Sequence, residues 1–472
     1  MSSALGDRLR RLRRSDAPMP QRSPAAPEGL ARLEARLIGA TDDDGLSLKE
    51  RLERLVAVAA RRPRANGHGA LGPPLEELLS GRRVENARGE FFLVEDDVHL
   101  ETLHGAVPFT RLRALDPDAV AILTGQSALG AFDLRRAVFL DTETTGLAGG
   151  TGTAAFLVGV GWVEGERFRF RQYFMRDYHE EPALLRGLAE DLAGCERIVT
   201  FNGGLFDVPL LETRYALNRE RFPLGQALHF DLLHPARRLW KARLESCRLQ
   251  SLERALLGVT RRGDVPGEEI PRIYFDFVRR RDGRAMARVL EHNRLDVLSL
   301  AALAALACQW VEGGHAEDPR DVYCLGRVLE RAALYERSEE QYRRLLTQAP
   351  GPVRTASLLR LAARAKKAGQ TETAVAYWEE AAQSGDWLAL RELALHHEHR
   401  SRDLPAALSA VESGLGRLDG EHGPGTRRAV EDFHRRRHRR KQQERGLQVV
   451  DEDEQDRGQA EEIDEELSLI HI

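Results

Sequence analysis

Val138-Phe139-Leu140-Asp141-Thr142-Glu143-Thr144-Thr145-Gly146-Leu147 is the stretch on which the reading of this chain turns. Three apolar residues lead as a buried strand, and two carboxylates follow at i and i+2. A strand alternates its side chains, so Asp141 and Glu143 share a face. Two like charges a few ångströms apart are unfavourable unless a cation binds between them. Hard divalent ions with oxygen ligands, Mg²⁺ or Mn²⁺, meet that need. On its own, the stretch also reads as a polar turn closing a core strand.

Working outward, residues 137–313 pattern as one domain. Ala137–Leu140 is its first strand. Ala154–Val163 and Arg167–Phe174 are β-rich runs joined by Glu164-Gly165, a hairpin signal. A helical stretch at Pro182–Leu192 precedes an apolar strand, Ile198–Phe201. A helix near Val208–Asn218, a short apolar run at Leu228–Leu233 and a long helix from about Arg284 to Trp310 follow. Three strands, a helix, a strand and more helices predict an α/β domain with a mixed sheet.

Two further segments bear on the opening stretch. In Phe201-Asn202-Gly203-Gly204-Leu205-Phe206-Asp207, the acid Asp207 falls at a loop-to-helix junction, where backbone amides let a ligand approach closely. Asn202 is placed to bond a nucleotide or to shape the loop, Asp207 equally to cap the helix. In Glu291-His292-Asn293-Arg294-Leu295-Asp296, the residues His292 and Asp296 are i and i+4 and share one helix face. An imidazole beside a metal-bound carboxylate is suited to take a proton from water. Phe206 reads as a nucleotide contact or, preferably, as core, and Asp231 as a carboxylate supporting the site or, preferably, as a structural acid.

Together these segments resemble the DEDD superfamily of 3′→5′ exonucleases on the ribonuclease H-like fold. Asp141-Thr142-Glu143-Thr144-Thr145-Gly146 looks like its first motif, Asn202-x4-Asp207 its second, and His292-x3-Asp296 its third. Among sub-families the match is to the YprB-type ribonuclease H-like domain, sometimes joined to tetratricopeptide repeats. The resemblance implies that Asp141, Glu143, Asp207 and Asp296 hold two divalent ions, Mg²⁺ or Mn²⁺, about 3.5–4 Å apart. His292 would orient or deprotonate the attacking water. The backbone around Thr144, Gly146 and Leu147 would lie against the 3′-terminal nucleotide of DNA or RNA. One departure stands out. The superfamily usually carries Tyr-x3-Asp or His-x4-Asp in the third motif, and one residue on a helix is about 100° of rotation.

Phosphate contacts are expected from Arg237, Arg238, Lys241, Arg243 and Arg248, and from Arg279, Arg280, Arg281, Arg284 and Arg288, with Arg284 the nearest candidate. Both clusters read alternatively as solvated helix faces. A nucleic-acid-binding adaptor without hydrolysis, or an internal-cutting nuclease, are the competing readings of the whole.

The 472 residues, 42% apolar and 31% charged, call for two or three domains. A net charge of −4 offers no global attraction to nucleic acid. The four cysteines have no paired spacing and no zinc pattern. No run of about 18 uncharged apolar residues spans a membrane, and no secretory signal is present, so the cytoplasm is expected. Residues 1–66 read as an Arg- and Pro-rich arm with one helix, and 67–136 as a small β-rich preface. Residues 314–420 read as tetratricopeptide-like repeats available to a protein partner. Ser338/Tyr342, Ala374/Trp378 and Ala407/Val411 recur at near-constant offset, with Leu346, Ala382 and Leu415 eight residues on. Residues 421–472 read as a disordered charged tail, whose last six residues resemble a translated sequencing adapter.

Overall fold

The computed structural model describes residues 72–146, 152–313, 316–349, 351–418, 429–439 and 442. The expected N-terminal arm, Leu147 and most of the charged tail lie outside the described residues. Two compact units divide the rest, one ending at Val353 and the other beginning at Arg354.

The first unit is built on a seven-stranded sheet of β1 (Gly81–Asn86), β2 (Gly89–His99), β5 (Val138–Thr144), β6 (Ala155–Glu164), β7 (Arg167–Phe174), β8 (Arg197–Thr200) and β9 (Leu228–Asp231). Its order is β1-β2-β7-β6-β5-β8-β9. The pairs from β1 through β5 are antiparallel, and β5-β8-β9 run parallel. This is the mixed sheet that the apolar pattern predicts. The preface differs from expectation, because β1 and β2 extend the central sheet instead of forming a separate unit. A small hairpin of β3 (Leu103–His104) and β4 (Val107–Pro108) follows them.

Five helices of this unit matter for the site: α1 (Glu181–Asp191), α2 (Asp207–Leu217), α3 (Leu233–Trp240), α4 (Ile270–Arg280) and α5 (Gly283–Gly313). Helix α1 packs its Gly187 under Phe91, which stacks on Tyr173. Helix α5 covers the opposite face, where Gly159 and Gly161 of β6 make room for Asn293 and Val297. Helix α4 closes one end, with Tyr274 stacked 4.0 Å from Phe156. Helix α5 is long and apolar enough to cross a membrane, yet 78% of its most apolar window is buried within the unit. It is the core helix of a folded domain.

The β3–β4 hairpin is tied to α5 by His104, whose Nε2 lies 2.7 Å from Ser299 Oγ. Burial, and then the charges of Arg261 and Arg294, push His104 down to about 4. Its folded value lies below the unfolded one. The stability it contributes is therefore whole above about pH 6.5 and lost as the pH falls toward 4, roughly 3 kcal/mol in all. Urea melts at pH 7 and pH 5 should show His104→Asn shedding that dependence; an equally steep variant would refute the assignment.

Beyond α5 the chain is helical. α6 (Pro319–Arg331) and α7 (Tyr335–Gln348) complete the first unit, with Gly326 lying directly against the Tyr342 ring. The second unit carries α8 (Pro352–Lys367), α9 (Thr371–Gln383), α10 (Trp387–His396) and α11 (Leu404–Leu418). The repeating pairs Ser338/Tyr342, Ala374/Trp378 and Ala407/Val411 are all buried, on α7, α9 and α11. The third buried position is one earlier than expected, at Leu345, Ala381 and Gly414, since i, i+4 and i+7 make one helix face. Part of the expected solvated tail is also ordered. Residues 429–439 are helical, Phe433 is buried against Gly414, and Arg436 pairs with Glu398 and Asp432.

Candidate metal centre

Strand β5 buries Val138, Phe139 and Leu140 and emerges half-buried from Asp141 onward. Asp141 lies opposite Gly159 on β6, and the pairing breaks in a bulge between Glu143 and Thr144. Bulges commonly re-aim side chains where a strand meets a site. Past it, Thr144 Oγ1 donates to the Gly146 carbonyl at 2.8 Å.

Asp207 opens α2 and accepts from Thr142 Oγ1 at 2.5 Å. The loop before it is fixed from β9. Asp231 accepts from the amides of Asn202 (2.8 Å) and Gly204 (3.1 Å), and from Leu233 at the start of α3 (3.1 Å). Asn202 takes a left-handed backbone, φ 67°. The structural reading of Asp231 holds. Phe206 is not core: it is 56% exposed and its neighbour Leu205 71%.

Helix α5 supplies His292, Asn293 and Asp296 from one buried surface. Asn293 Nδ2 donates to Asp141 Oδ2 at 2.8 Å, and its Oδ1 accepts from Gln172 Nε2 at 2.9 Å. His292 Nε2 lies 3.3 Å from Asp296 Oδ2 and 3.8 Å from Glu143 Oε1. Its Nδ1 lies 2.8 Å from Asp264 Oδ1. Arg261 bonds Asp296 Oδ1, and it is clamped from behind by Glu253, which accepts from Nε at 3.0 Å and from Nη2 at 2.6 Å.

One donor atom each from Glu143, His292 and Asp296 lie within 4.8 Å of one another. Asp141 and Asp207 stand outside that triplet, but their charges act on it. Burial, then Asp296, Glu143 and Asp207, hold the Asp141 carboxyl well above the usual range. Burial, then Asp296 and Asp207, do the same to Glu143. Asp207 is pushed up to about 6 by burial, against its bond from Thr142. Burial would raise Asp296 too, but His292 and Arg261 hold it down. Burial opposes the charged form of His292, yet Asp296 and Asp264 outweigh it and push the ring up to about 9. Six buried or half-buried carboxylates thus face two protein cations. Donors crowded in this way could hold a divalent cation, with Glu143, His292 and Asp296 the group whose atoms converge most closely among the described residues.

Of the expected substrate contacts, Thr144, Gly146 and Asn202 lie beside the carboxylates, and Leu147 is outside the described residues. Arg284 is eight residues before His292, about 12 Å along the helix, and pairs with Asp282. Most of the basic clusters are engaged locally. Arg238 donates to the carbonyls of Leu123 and Thr124, Arg243 pairs with Asp321, Arg279 with Asp276 and Arg281 with Asp177. Arg288 donates to the carbonyls of Gly263 and Asp264 and so steadies the loop that meets His292. The sequence reading missed Glu253, Arg261 and Asp264, which sit in irregular chain far from any motif, and Asn293, which lay inside one.

A family model described as the RNase_H superfamily matches residues 138–308. The uncharacterized protein YprB of Bacillus subtilis (strain 168) is 32% identical over 340 residues, covering 69% of this chain and 81% of that protein. The matched span begins on β5 and ends on α5, the two elements that carry the acids of the first and third motifs. With the mixed sheet and this site in place, the chain belongs to the RNase H superfamily, in the family of YprB.

Proposed function

We propose that this chain is a cytoplasmic, metal-dependent 3′→5′ exonuclease of the DEDD kind, acting on single-stranded ends of nucleic acid. What supports the reading is that Glu143 from β5 and Asp296 from α5 converge on His292, while Asn293 of the same helix bonds Asp141 and Thr142, between the two strand acids, bonds Asp207. Two divalent ions bound there would lower the pKa of a water and neutralise charge on the departing 3′-oxygen. The residues of the chain do the rest. Asn293 orients Asp141, Thr142 orients Asp207, and Asp231 holds the Asn202–Gly204 backbone where a terminal nucleotide would enter. Leu205 and Phe206 offer apolar surface for an unstacked base on that rigid loop. We read the paired helices as tetratricopeptide-like repeats presenting a surface to a protein partner.

The test uses 5′-labelled single strands of DNA and RNA of matched sequence with Mn²⁺, comparing the parent with Asp207→Asn. A ladder of shortened products that the variant fails to make is expected. Discrete internal fragments would replace the reading with an endonuclease, and retention of the strand without cleavage with a binding adaptor.

A further inference from the structure

We infer that His292 is itself a metal ligand, and that this site therefore favours imidazole-binding transition ions such as Mn²⁺, Co²⁺ or Zn²⁺ over Mg²⁺. The inference rests on the reading of this cluster as a metal centre, and it is independent of whether the substrate is cut from its end.

The ring is fixed before any ion arrives. Asp264 Oδ1 lies 2.8 Å from Nδ1 and also accepts from the Val265 amide at 2.9 Å, while its Oδ2 accepts from Gln250 Nε2 at 3.0 Å. A carboxylate on one ring nitrogen sets the tautomer in which the other nitrogen carries a lone pair. It is the arrangement that surrounds metal-bound histidines and raises their basicity. That other nitrogen, Nε2, faces Asp296 Oδ2 at 3.3 Å and Glu143 Oε1 at 3.8 Å. Nε2, Asp296 Oδ2 and Glu143 Oε1 thus converge in a buried site, where a bound ion would take the place of the proton the ring holds between them.

The separations suit one ion. Ligands about 2.0–2.2 Å from a common centre stand about 3.0 Å apart at a right angle, about 3.4 Å apart in a tetrahedron and up to about 4.3 Å apart when opposed. Both measured distances fall in that range. At 3.3 Å the ring and Asp296 are too close for a water bridging the two, which sets its partners roughly 4.5 Å apart. The spacing in sequence is the cause. His-x3-Asp puts the ring directly over the carboxylate on one helix face, and a further intervening residue would swing it away by about 100°. Arg261 takes Asp296 Oδ1, which leaves Oδ2, the oxygen nearest the imidazole, for the ion. Imidazole suits Zn²⁺ and Co²⁺ and is accepted by Mn²⁺ beside carboxylates, whereas Mg²⁺ keeps to oxygen.

The test is metal binding to the chelator-stripped full chain, followed by titration calorimetry and by the visible bands of bound Co²⁺. Co²⁺ should bind on the order of 100-fold more tightly than Mg²⁺, and His292→Ala should erase most of that margin while leaving Mg²⁺ affinity within about threefold. Asp264→Asn should weaken Co²⁺ on the order of tenfold. Because a variant can misfold, the parent is also loaded with Mn²⁺ after labelling with ¹⁵N-histidine. Pulsed electron paramagnetic resonance should then detect a directly coupled nitrogen. Binding of Mn²⁺ without that coupling, or Co²⁺ affinity unchanged in a folded His292→Ala, overturns the inference. Failure of the parent to bind any divalent ion would instead overturn the metal-centre reading beneath it.

Discussion

Asp141→Asn is expected to lower turnover on a single-stranded substrate by about 10³-fold or more, the loss typical when a charge that stabilises a transition state is neutralised. The substitution is nearly isosteric, and an asparagine carbonyl still accepts the bond that Asn293 donates to Asp141 at 2.8 Å. What it removes is the anion. The carboxyl of Asp141 is pushed up by burial and by Asp296, Glu143 and Asp207, so the metal-free protein carries a repulsion that asparagine relieves. The same variant should therefore melt a few degrees higher than the parent in chelator, on the order of 1 kcal/mol. That increment should vanish when Mn²⁺ is added. Rate assays beside thermal melts, with and without chelator, check both halves. Near-normal turnover would sink the catalytic assignment, and a variant less stable than the parent in chelator would sink the electrostatic one.

The second large effect is on stability. Arg261→Met should cost about 3–5 kcal/mol, because it strips the partner from a buried pair and leaves the remaining charge uncompensated. The Arg261 side chain is 6% exposed and Glu253 behind it 1%, so water cannot replace the guanidinium. Arg261→Met combined with Glu253→Met removes both charges of the pair and should recover a large part of the loss, although Asp296 still lacks its neighbour. Denaturant melts of the single and double variants settle the point. A single variant within about 1 kcal/mol of the parent would mean that Arg261 is not what balances these acids.

Much of this was legible in local pattern. An apolar triplet ending in two acids spaced for one face gave β5. The Glu164-Gly165 turn gave the β6–β7 hairpin, where Gly165 does take φ 56°. The apolar run of α5 was visible, as was the shared face of His292 and Asp296. What escaped was set by distance along the chain. Asp264, in irregular chain, meets His292 across 28 residues that include a whole helix, and Glu253 sits in a short π-helical turn, where no period points to a site. The pairing of β2 with β7 joins segments that nothing in either strand announces. The arginine clusters were over-read for a simpler reason. Arg279 has Asp276 three residues before it, and Arg284 has Asp282 two before, so neighbours in sequence already neutralise them. For Phe206 the preference for core over a nucleotide contact fails, since it stands exposed on the loop whose backbone Asp231 holds.

Gly159 lies across from Asp141, and a methyl group added there would meet Asn293 Oδ1 at 2.2 Å. Gly161, one pleat further along, is crowded by the Phe168 ring and by Val297 of the helix. Along this seam the main chain of β6 rests directly on the Asn293 and Val297 side chains of the helix, with no side chain of the sheet between the half of the centre borne by the strand and the half borne by the helix. A gap set by backbone on one side and by a short bonded amide and a β-branched side chain on the other varies little with thermal motion, whereas one propped open by long side chains widens and narrows with their rotamers. Telling apart cations of different ionic radius relies on that kind of constancy, and two missing methyl groups on β6 supply it.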